Sequence, residues 1–384
     1  MVASLTHTRL HRLDEITLKK LRALDRRRTA VLLPVGMVEE HGEHLPLGTD
    51  NYAVEALALA AASWLLENDR GLHVLLLPML PFGTDPVDSR REELFRGAGS
   101  VWISAATLKA LVADIAEHLI RYGFGYIFPL SFHGGAGQHV ALDELCAEMR
   151  QRHPGLVMYE ACGYVMAGAA LDVTPGLATL LGRPLTTQEE VALKGSIHAS
   201  MFETSLMLHL RPELVDPMYR TLRTLEWHQM YNMQDWPGYV GAGPSHADAE
   251  VGAAMLRWRG VRAGALIRRA MDGEDLSRLP RHPVWLSDSE EPESVSEAPR
   301  EGELAAARDP FVDSKPAMLI SREQLAQIRA EALGAGASSE EAAPASGSAD
   351  MDAEATRPSS SSRTPPHSPP PDAPRQPDQQ EDAP

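Results

Sequence analysis

The sequence has little cysteine, few aromatic residues and a shortage of positive charge. Its 384 residues include two cysteines, 5% aromatic residues, and 36 Lys and Arg against 53 Asp and Glu, for a net charge of −17. Two cysteines, Cys146 and Cys162, cannot form a disulfide framework, which favours a reducing compartment. The negative charge disfavours nucleic acid and anionic membranes as partners, because both attract a positively charged surface.

Long apolar runs are also lacking. No stretch of about 18 apolar residues occurs, and the N-terminus lacks the apolar core of a secretory signal. We therefore expect a cytoplasmic protein that does not enter a membrane. The glycine-rich loops GxGxxG and GxxxxGK[ST] are absent from the sequence as well, so nothing in it supports a nucleotide cofactor.

The acidic residues are concentrated towards the C-terminus. Residues 287–384 carry −12 of the net charge and are rich in Pro, Ser and Ala. Such a composition buries too little apolar surface to offset the entropy of ordering, so we predict a mostly disordered tail after a folded domain at 1–286. Within the tail, the pattern at 321–333 predicts a short helix. This helix is either transient or docked on the folded domain, or it is a partner-binding motif.

Within the predicted domain, short apolar runs alternate with longer segments of helical periodicity. This alternation is typical of βα units and predicts an α/β fold with a mainly parallel sheet. The predicted strands cover residues 30–36, 73–81, 125–131 and 156–160, and the helices cover 53–67, 103–122 and 138–152. In such sheets ligands bind beyond the carboxyl ends of the strands, so the residues that follow these runs are candidates for chemistry.

The segment after the first predicted strand is rich in acids and histidines. Four carboxylates so close together would repel one another unless a cation lay among them. Imidazole and carboxylate together suit Zn²⁺, Mn²⁺ or Fe²⁺, and the lack of cysteine argues against a closed structural zinc site. The alternative is an exposed polar loop. Six side chains make up this segment: Glu39, Glu40, His41, Glu43, His44 and Asp50.

Two later segments carry further candidates. His133 follows the third predicted strand and precedes glycines, which leave room for the backbone to approach an ion or substrate. The alternative is an ordinary buried histidine. Glu203, five residues after His198, opens an apolar helix, where a carboxylate is costly to bury unless it is paired or bound to a metal. The alternative is an acid that accepts hydrogen bonds from the free N–H groups at the helix start.

Together these three segments resemble the creatininase (creatinine amidohydrolase) family. PVGMVEEHGEHLPLGTD is similar to the family pattern PxGSxEqHGpHLPxxTD, and the segments around His133 and His198 are similar to its second and third motifs. A later stretch, GAGP at 241–244, is similar to a fourth, and the resemblance spans about residues 14–270. It implies a three-layer α/β/α fold and hydrolysis of a cyclic or linear amide C–N bond in a small molecule. It also implies a homo-oligomer, which is a hexamer in several members.

The same resemblance implies a centre with two divalent ions per subunit. Asp50 matches the carboxylate that bridges both ions. Glu39 and His133 match ligands of one ion, and His41 matches a ligand of the other. We expect Zn²⁺, with Mn²⁺ or Fe²⁺ as alternatives, and a metal-activated water as the attacking group.

At one metal-ligand position of this pattern, the sequence has a residue that cannot bind a metal. Creatininase itself has a carboxylate two residues after the second motif's histidine, where this chain has Gly135. We predict that Glu203 replaces it. By the resemblance, His198 is the catalytic histidine that protonates the leaving nitrogen, and His44 orients a ligand or the substrate.

The match is incomplete where substrate contacts are expected. Ser131, Ala136 and Ser200 replace family residues, and the segment with Asp88 and Arg91 departs from the family pattern. These departures favour a substrate other than creatinine, with a formamide or a short peptide as alternatives. The alternative from another functional class is a catalytically silent binding protein on the same fold. The aromatic-rich stretch 227–239 is predicted to pack or form a subunit interface, with a substrate lid as the alternative.

Overall fold

A parallel sheet of five strands forms the centre of the fold. The computed structural model describes residues 8–86, 99–163, 174–226, 229 and 236–279. In these ranges every neighbouring pair of strands in the sheet is parallel, in the order β1-β3-β2-β4-β5. The strands are β1 (Leu10–Arg12), β2 (Thr29–Val35), β3 (His73–Leu76), β4 (Tyr126–Ser131) and β5 (Val157–Met158).

Helices connect and cover these strands. None of those in the described ranges has an apolar stretch that would reach across a lipid bilayer. A small antiparallel pair, β6 (Ser196–His198) and β7 (Val240–Gly241), lies outside the main sheet. The helices are α1 (Leu18–Ala23), α2 (Thr49–Asn68), α3 (Ala105–Arg121), α4 (Ala136–Arg152), α5 (Thr174–Leu181), α6 (Thr187–Lys194), α7 (Met201–Leu210) and α8 (Ala249–Met271).

Strand β2 shows how the helices form two layers. All seven of its residues are buried, as expected for a central parallel strand with both faces covered. Ala30 and Leu32 belong to a core shared with α2, α7 and α8, whereas Val31 and Leu33 belong to a second core shared with α3 and α4. Successive strand residues point to opposite faces, so these two cores lie on the two sides of the sheet. The predicted three-layer α/β/α fold is confirmed.

The element boundaries differ from the sequence predictions in a few places. The second predicted strand ends at Leu76 instead of residue 81, and the fourth is reduced to Val157–Met158. Helix α2 begins at Thr49, four residues before the predicted start, so Asp50 lies in a helix rather than in the loop. Strand β1 was not predicted, because three residues are too short for a periodic pattern. The predicted tail and its helix at 321–333 lie outside the described residues.

Helix α8 packs very closely against α2 and α7, because glycines of α8 lie at the two contacts. A Cβ atom added at Gly260 would lie 2.4 Å from the Cβ of Ala60, and one added at Gly252 would lie 2.1 Å from the carbonyl oxygen of Ser205. Neither position therefore has room for a larger side chain. The glycines bring α8 close to the two helices whose first turns carry Asp50 and Glu203.

Candidate metal centre and active site

The candidate side chains meet beyond the carboxyl ends of the central strands. Glu39 and His41 lie on the segment that follows β2, and Asp50 lies in the first turn of α2. His133 lies two residues after β4, which pairs with β2. Because both strands end at the same edge of the sheet, residues far apart in the sequence come together there.

A separate part of the chain approaches this edge. Strand β6 ends at His198, and Glu203 lies in the first turn of α7. Together with the residues of the first two motifs, these two complete the set predicted from the sequence. All six side chains are buried: Glu39, His41, Asp50, His133, His198 and Glu203.

Glu39, Asp50 and His133 form the first compact group. His133 Nδ1 lies 2.9 Å from Glu39 Oε2 and 3.3 Å from Asp50 Oδ2. Burial alone would lower the pKa of His133, but the charges of Glu39 and Asp50 outweigh it and raise that pKa well above its ordinary value. Burial likewise opposes ionisation of Glu39, yet nearby histidines hold its pKa below the usual range. A positive charge is therefore favoured between these carboxylates.

His41, Asp50 and Glu203 form the second group. His41 Nε2 lies 3.8 Å from Asp50 Oδ1 and 3.8 Å from Glu203 Oε2. The other ring nitrogen, Nδ1, lies 3.1 Å from the carbonyl oxygen of Glu39, which turns Nε2 towards the carboxylates. Glu203 Oε2 also accepts a 2.5 Å hydrogen bond from the backbone N–H of Ala199. Ala199 precedes the first residue of α7, so this bond ties Glu203 to the turn between β6 and α7, and the carboxylate also faces His41.

The donor atoms of both groups have the spacing of metal ligands. In each group they lie within 4.8 Å of one another, and Asp50 belongs to both. Nitrogen and oxygen ligands bound at about 2.0–2.2 Å from one ion lie roughly 3–4 Å apart, and the distances above are 2.9–3.8 Å. Within the described residues, His41 Nε2 and Asp50 Oδ1 are buried without a hydrogen bond. These residues fit two cations that share Asp50.

His198 lies beside the second group. Its Nε2 is 2.8 Å from the carbonyl oxygen of Glu40 and 3.6 Å from that residue's carboxylate, and its ring centre is 4.5 Å from that of His41. Burial alone would lower the pKa of His198, but the nearby carboxylates, Glu39 first among them, raise it to about 10. Glu39, His41 and His198 also form a third group with ligand spacing. The geometry therefore allows His198 either to hold a proton or to bind a cation.

Glu40 and Trp236 lie near His198, and neither was among the individual site residues predicted from the sequence. Trp236 Nε1 donates a 2.6 Å hydrogen bond to Glu40 Oε1, and the backbone N–H of Gly42 donates to Glu40 Oε2 at 3.3 Å. Glu40 was visible in the acidic segment, but its contact with Trp236 spans 196 residues and leaves no local signal. Of the aromatic stretch, Trp236 contacts Glu40, and the ring centre of Tyr239 lies 6.1 Å from that of His44. Trp227, His228 and Tyr231 lie outside the described residues.

His44 is buried behind the second group. Its Nε2 lies 3.1 Å from Thr204 Oγ1, next to Glu203 in the chain. Burial lowers the pKa of His44 to about 4, so the ring is neutral near neutral pH. A neutral imidazole bonded to the residue beside Glu203 is suited to orienting α7. This arrangement agrees with the predicted role, which stays a prediction.

Gly135 has no room for a side chain. A Cβ atom added there would lie 2.1 Å from His133 Nε2 and 2.3 Å from the carbonyl oxygen of Asp85. The position that carries a carboxylate in creatininase is therefore closed in this chain. Asp88 and Arg91, in the other departing segment, lie outside the described residues.

Comparisons with known proteins agree with the family resemblance found in the sequence. The model of the family described as creatininase, creatinine amidohydrolase, matches residues 14–267. The mycofactocin precursor peptide peptidase of Mycobacterium ulcerans (strain Agy99) is 28% identical over 192 residues, which cover 48% of this chain and 60% of that protein. The chain thus covers less than two thirds of that relative's length.

Solved structures are similar at the level of the fold. A putative creatinine amidohydrolase from Bacteroides fragilis NCTC 9343 is 21% identical with a TM-score of 0.50, covering 69% of this chain and 98% of that one. A structure described as creatininase Mn is 21% identical with a TM-score of 0.48, covering 68% and 98%. At the identity of the first structure, the similarity supports a shared fold and nothing finer.

Proposed function

The chain belongs to the creatininase family of amidohydrolases, and we propose that it uses two divalent cations to hydrolyse a non-peptide or cyclic amide C–N bond. The observation that carries the proposal is the pair of buried ligand groups that share Asp50. A single carboxylate placed between two groups of nitrogen and oxygen donors could hold two cations close together, as two-metal hydrolysis needs.

Each cation has three proposed ligands in the chain. Glu39, Asp50 and His133 would hold the first, and His41, Asp50 and Glu203 would hold the second. Support comes from the burial of these side chains and from their spacing. Donor sets of nitrogen and oxygen without thiolate suit Zn²⁺ and also Mn²⁺ or Fe²⁺. Glu203 thereby supplies the carboxylate that Gly135 lacks.

The surrounding residues would handle the proton. When bound, the cations would polarise the amide carbonyl and make water a stronger nucleophile. His198 holds a proton beside the Glu40 carboxylate and would donate it to the leaving nitrogen. His198, neutral once it has donated, would then accept the proton that the attacking water has carried into the product, which restores the starting state. Trp236 keeps the Glu40 carboxylate in place through its N–H group.

A short peptide is the second candidate substrate. It is favoured by the similarity to the Mycobacterium ulcerans protein, whose description is that of a peptide peptidase. A formamide is a third candidate within the same chemistry. The division of the chain at residue 287, the cytoplasmic location and the homo-oligomer stay predictions of the sequence.

Metal content per subunit tests the proposal most directly. We expect about two ions in protein purified without added metal, measured by elemental mass spectrometry, and about one in Glu203→Ala. Glu144→Ala, which removes an exposed carboxylate on α4, is the matched control and should retain both. A panel of creatinine, formamides and short peptides, assayed for creatine, formate and amino acids, then identifies the substrate class. No bound metal after Zn²⁺ or Mn²⁺ is supplied would favour a silent binding protein.

A further inference from the structure

The two nitrogens of His133 have different partners. Nδ1 faces the carboxylates of Glu39 and Asp50, whereas Nε2 lies 3.0 Å from the backbone carbonyl oxygen of Asp85. A carbonyl oxygen can only accept a hydrogen bond, so Nε2 must carry the hydrogen. In a neutral imidazole the lone pair is then on Nδ1. The contact with Asp85 therefore selects the nitrogen that can bind a cation.

Asp85 is held in an unusual backbone conformation. Its φ angle is +60°, in the left-handed region that Asp and Asn adopt more readily than most other residues with a side chain. Its Oδ2 accepts a 2.7 Å hydrogen bond from the backbone N–H of Gly137, in the first turn of α4. Gly135, the residue before that helix, has no side chain to satisfy these N–H groups. Asp85 thus caps α4 from a distant segment. The same hydrogen bond holds the backbone of Asp85 in place, and with it the carbonyl that meets His133.

The residue before Asp85 is anchored as well. The backbone N–H of Thr84 donates a 2.9 Å hydrogen bond to Gln138 Oε1, and Gln138 Nε2 donates one of 2.9 Å to Ser131 Oγ at the end of β4. Thr84, Ser131 and Gln138 are all buried. Thr84 and Asp85 are therefore both bonded to α4, and the Gln138 side chain links this contact to the end of β4.

The close approach of Asp85 also accounts for Gly135. The space for a Cβ atom at Gly135 is taken by His133 Nε2 and by the Asp85 carbonyl oxygen. Any side chain at this position would push the carbonyl away from the imidazole. The missing carboxylate at Gly135 and the contact between Asp85 and His133 are two aspects of one packing arrangement.

We propose that Asp85 is a positioning residue that fixes His133 as an Nδ1 ligand and so sets the cation affinity of the Glu39, Asp50 and His133 group. Asp85 acts through His133 and is not assigned a contact with substrate. The inference rests on the proposed function, because it requires His133 to bind a cation. Groups that orient a ligating histidine in this way typically contribute about 10- to 100-fold to metal affinity.

Zinc binding to Asp85 variants tests the proposal. Protein stripped of metal is titrated with Zn²⁺ in competition with a chromophoric chelator. Asp85→Ala should weaken one of the two sites by about 10- to 100-fold and leave the other within about twofold. Asp85→Asn, which tolerates the same backbone conformation and still accepts from the Gly137 N–H, should restore affinity. Asp248→Ala is the control, because the Asp248 side chain caps the start of its own helix, α8, and these cap bonds do not involve His133.

A second readout follows the hydrogen on His133 itself. In zinc-loaded protein with ¹⁵N-labelled histidine, the His133 Nε2–H signal, assigned with His133→Gln, should be slow to exchange with water. In Asp85→Ala it should exchange faster or be lost, and the Asp248→Ala control should leave it unchanged. A purely structural role for Asp85 would not change this signal. Should Asp85→Ala fail to fold, Asp85→Gly lacks the carboxylate but tolerates the backbone conformation.

Two outcomes separate this inference from the function on which it rests. Wild-type protein that binds two Zn²⁺ ions, together with an Asp85→Ala variant whose affinities and His133 signal are unchanged, would overturn the role of Asp85 alone. Wild-type protein that binds no Zn²⁺ would overturn the proposed function and the inference together.

Discussion

The two ligand groups share Asp50 but are built in different ways. In the Glu39 and His133 group the donor atoms, which follow two neighbouring strand ends, lie 2.9–3.3 Å apart. In the His41 and Glu203 group the distances are 3.8 Å, and Glu203 lies on a helix packed from elsewhere in the chain. The first group depends on neighbouring strand ends, and the second depends on long-range packing. We therefore expect the second group to lose its cation first.

The largest expected effect tests what the two groups share. Asp50→Ala should remove both cations and lower kcat/KM by at least about a thousandfold, because several kcal/mol of transition-state stabilisation are lost with them. Metal content and turnover are measured together. Asp114→Ala, an exposed acid on α3, should change neither. Full occupancy in the Asp50 variant would contradict the shared ligand.

A substitution at His198 tests whether this residue acts as a proton donor or as a further metal ligand. His198→Ala should keep both cations and lower kcat by about 10²- to 10⁴-fold, as expected for the loss of a general acid. Metal content and kcat are measured on the same preparation. His118→Ala on the exposed side of α3 is the control. The loss of one cation would instead assign His198 to the group with Glu39 and His41.

Glu40 has the smallest expected effect. Glu40→Gln preserves an acceptor for the Trp236 N–H but removes a negative charge 3.6 Å from His198. We expect kcat to fall by about tenfold with unchanged metal content, in line with residues that tune a neighbouring reactive group. Glu43→Gln changes an exposed acid of the same loop and serves as the control. Wild-type kcat in Glu40→Gln would mean that the carboxylate only anchors Trp236.

The sequence predicted those parts of the molecule that depend on local pattern. The apolar run at 30–36 predicted the strand that is β2 in the structure, and the acids and histidines that follow it predicted the candidate site. The alternation of strand and helix gave the parallel sheet. Asp50 was predicted as a site residue, but its place in a helix was not predicted. The reason is that Gly48, at the start of α2, provides no side-chain cap that would mark the helix start.

Contacts across the chain could not be predicted in the same way. The carbonyl of Asp85 meets His133 across 48 residues, and Trp236 meets Glu40 across 196. Every residue has a backbone carbonyl, so the sequence carries no signal for the contact of Asp85. A tryptophan in an aromatic stretch is equally consistent with core packing and with a substrate lid. The role of Gly135 was likewise visible only as a missing carboxylate, since its crowding comes from another segment.

The glycines of α8 bear on how such a site can change over time. Because α8 meets α2 and α7 at backbone distance through Gly260 and Gly252, the spacing of these helices cannot be adjusted by exchanging one side chain for another. Selection for a new substrate would then act on the segments around the site, such as 81–86 and 236–239. In directed evolution we would therefore diversify those segments, apart from Thr84, Asp85 and Trp236, and leave the three helices unchanged.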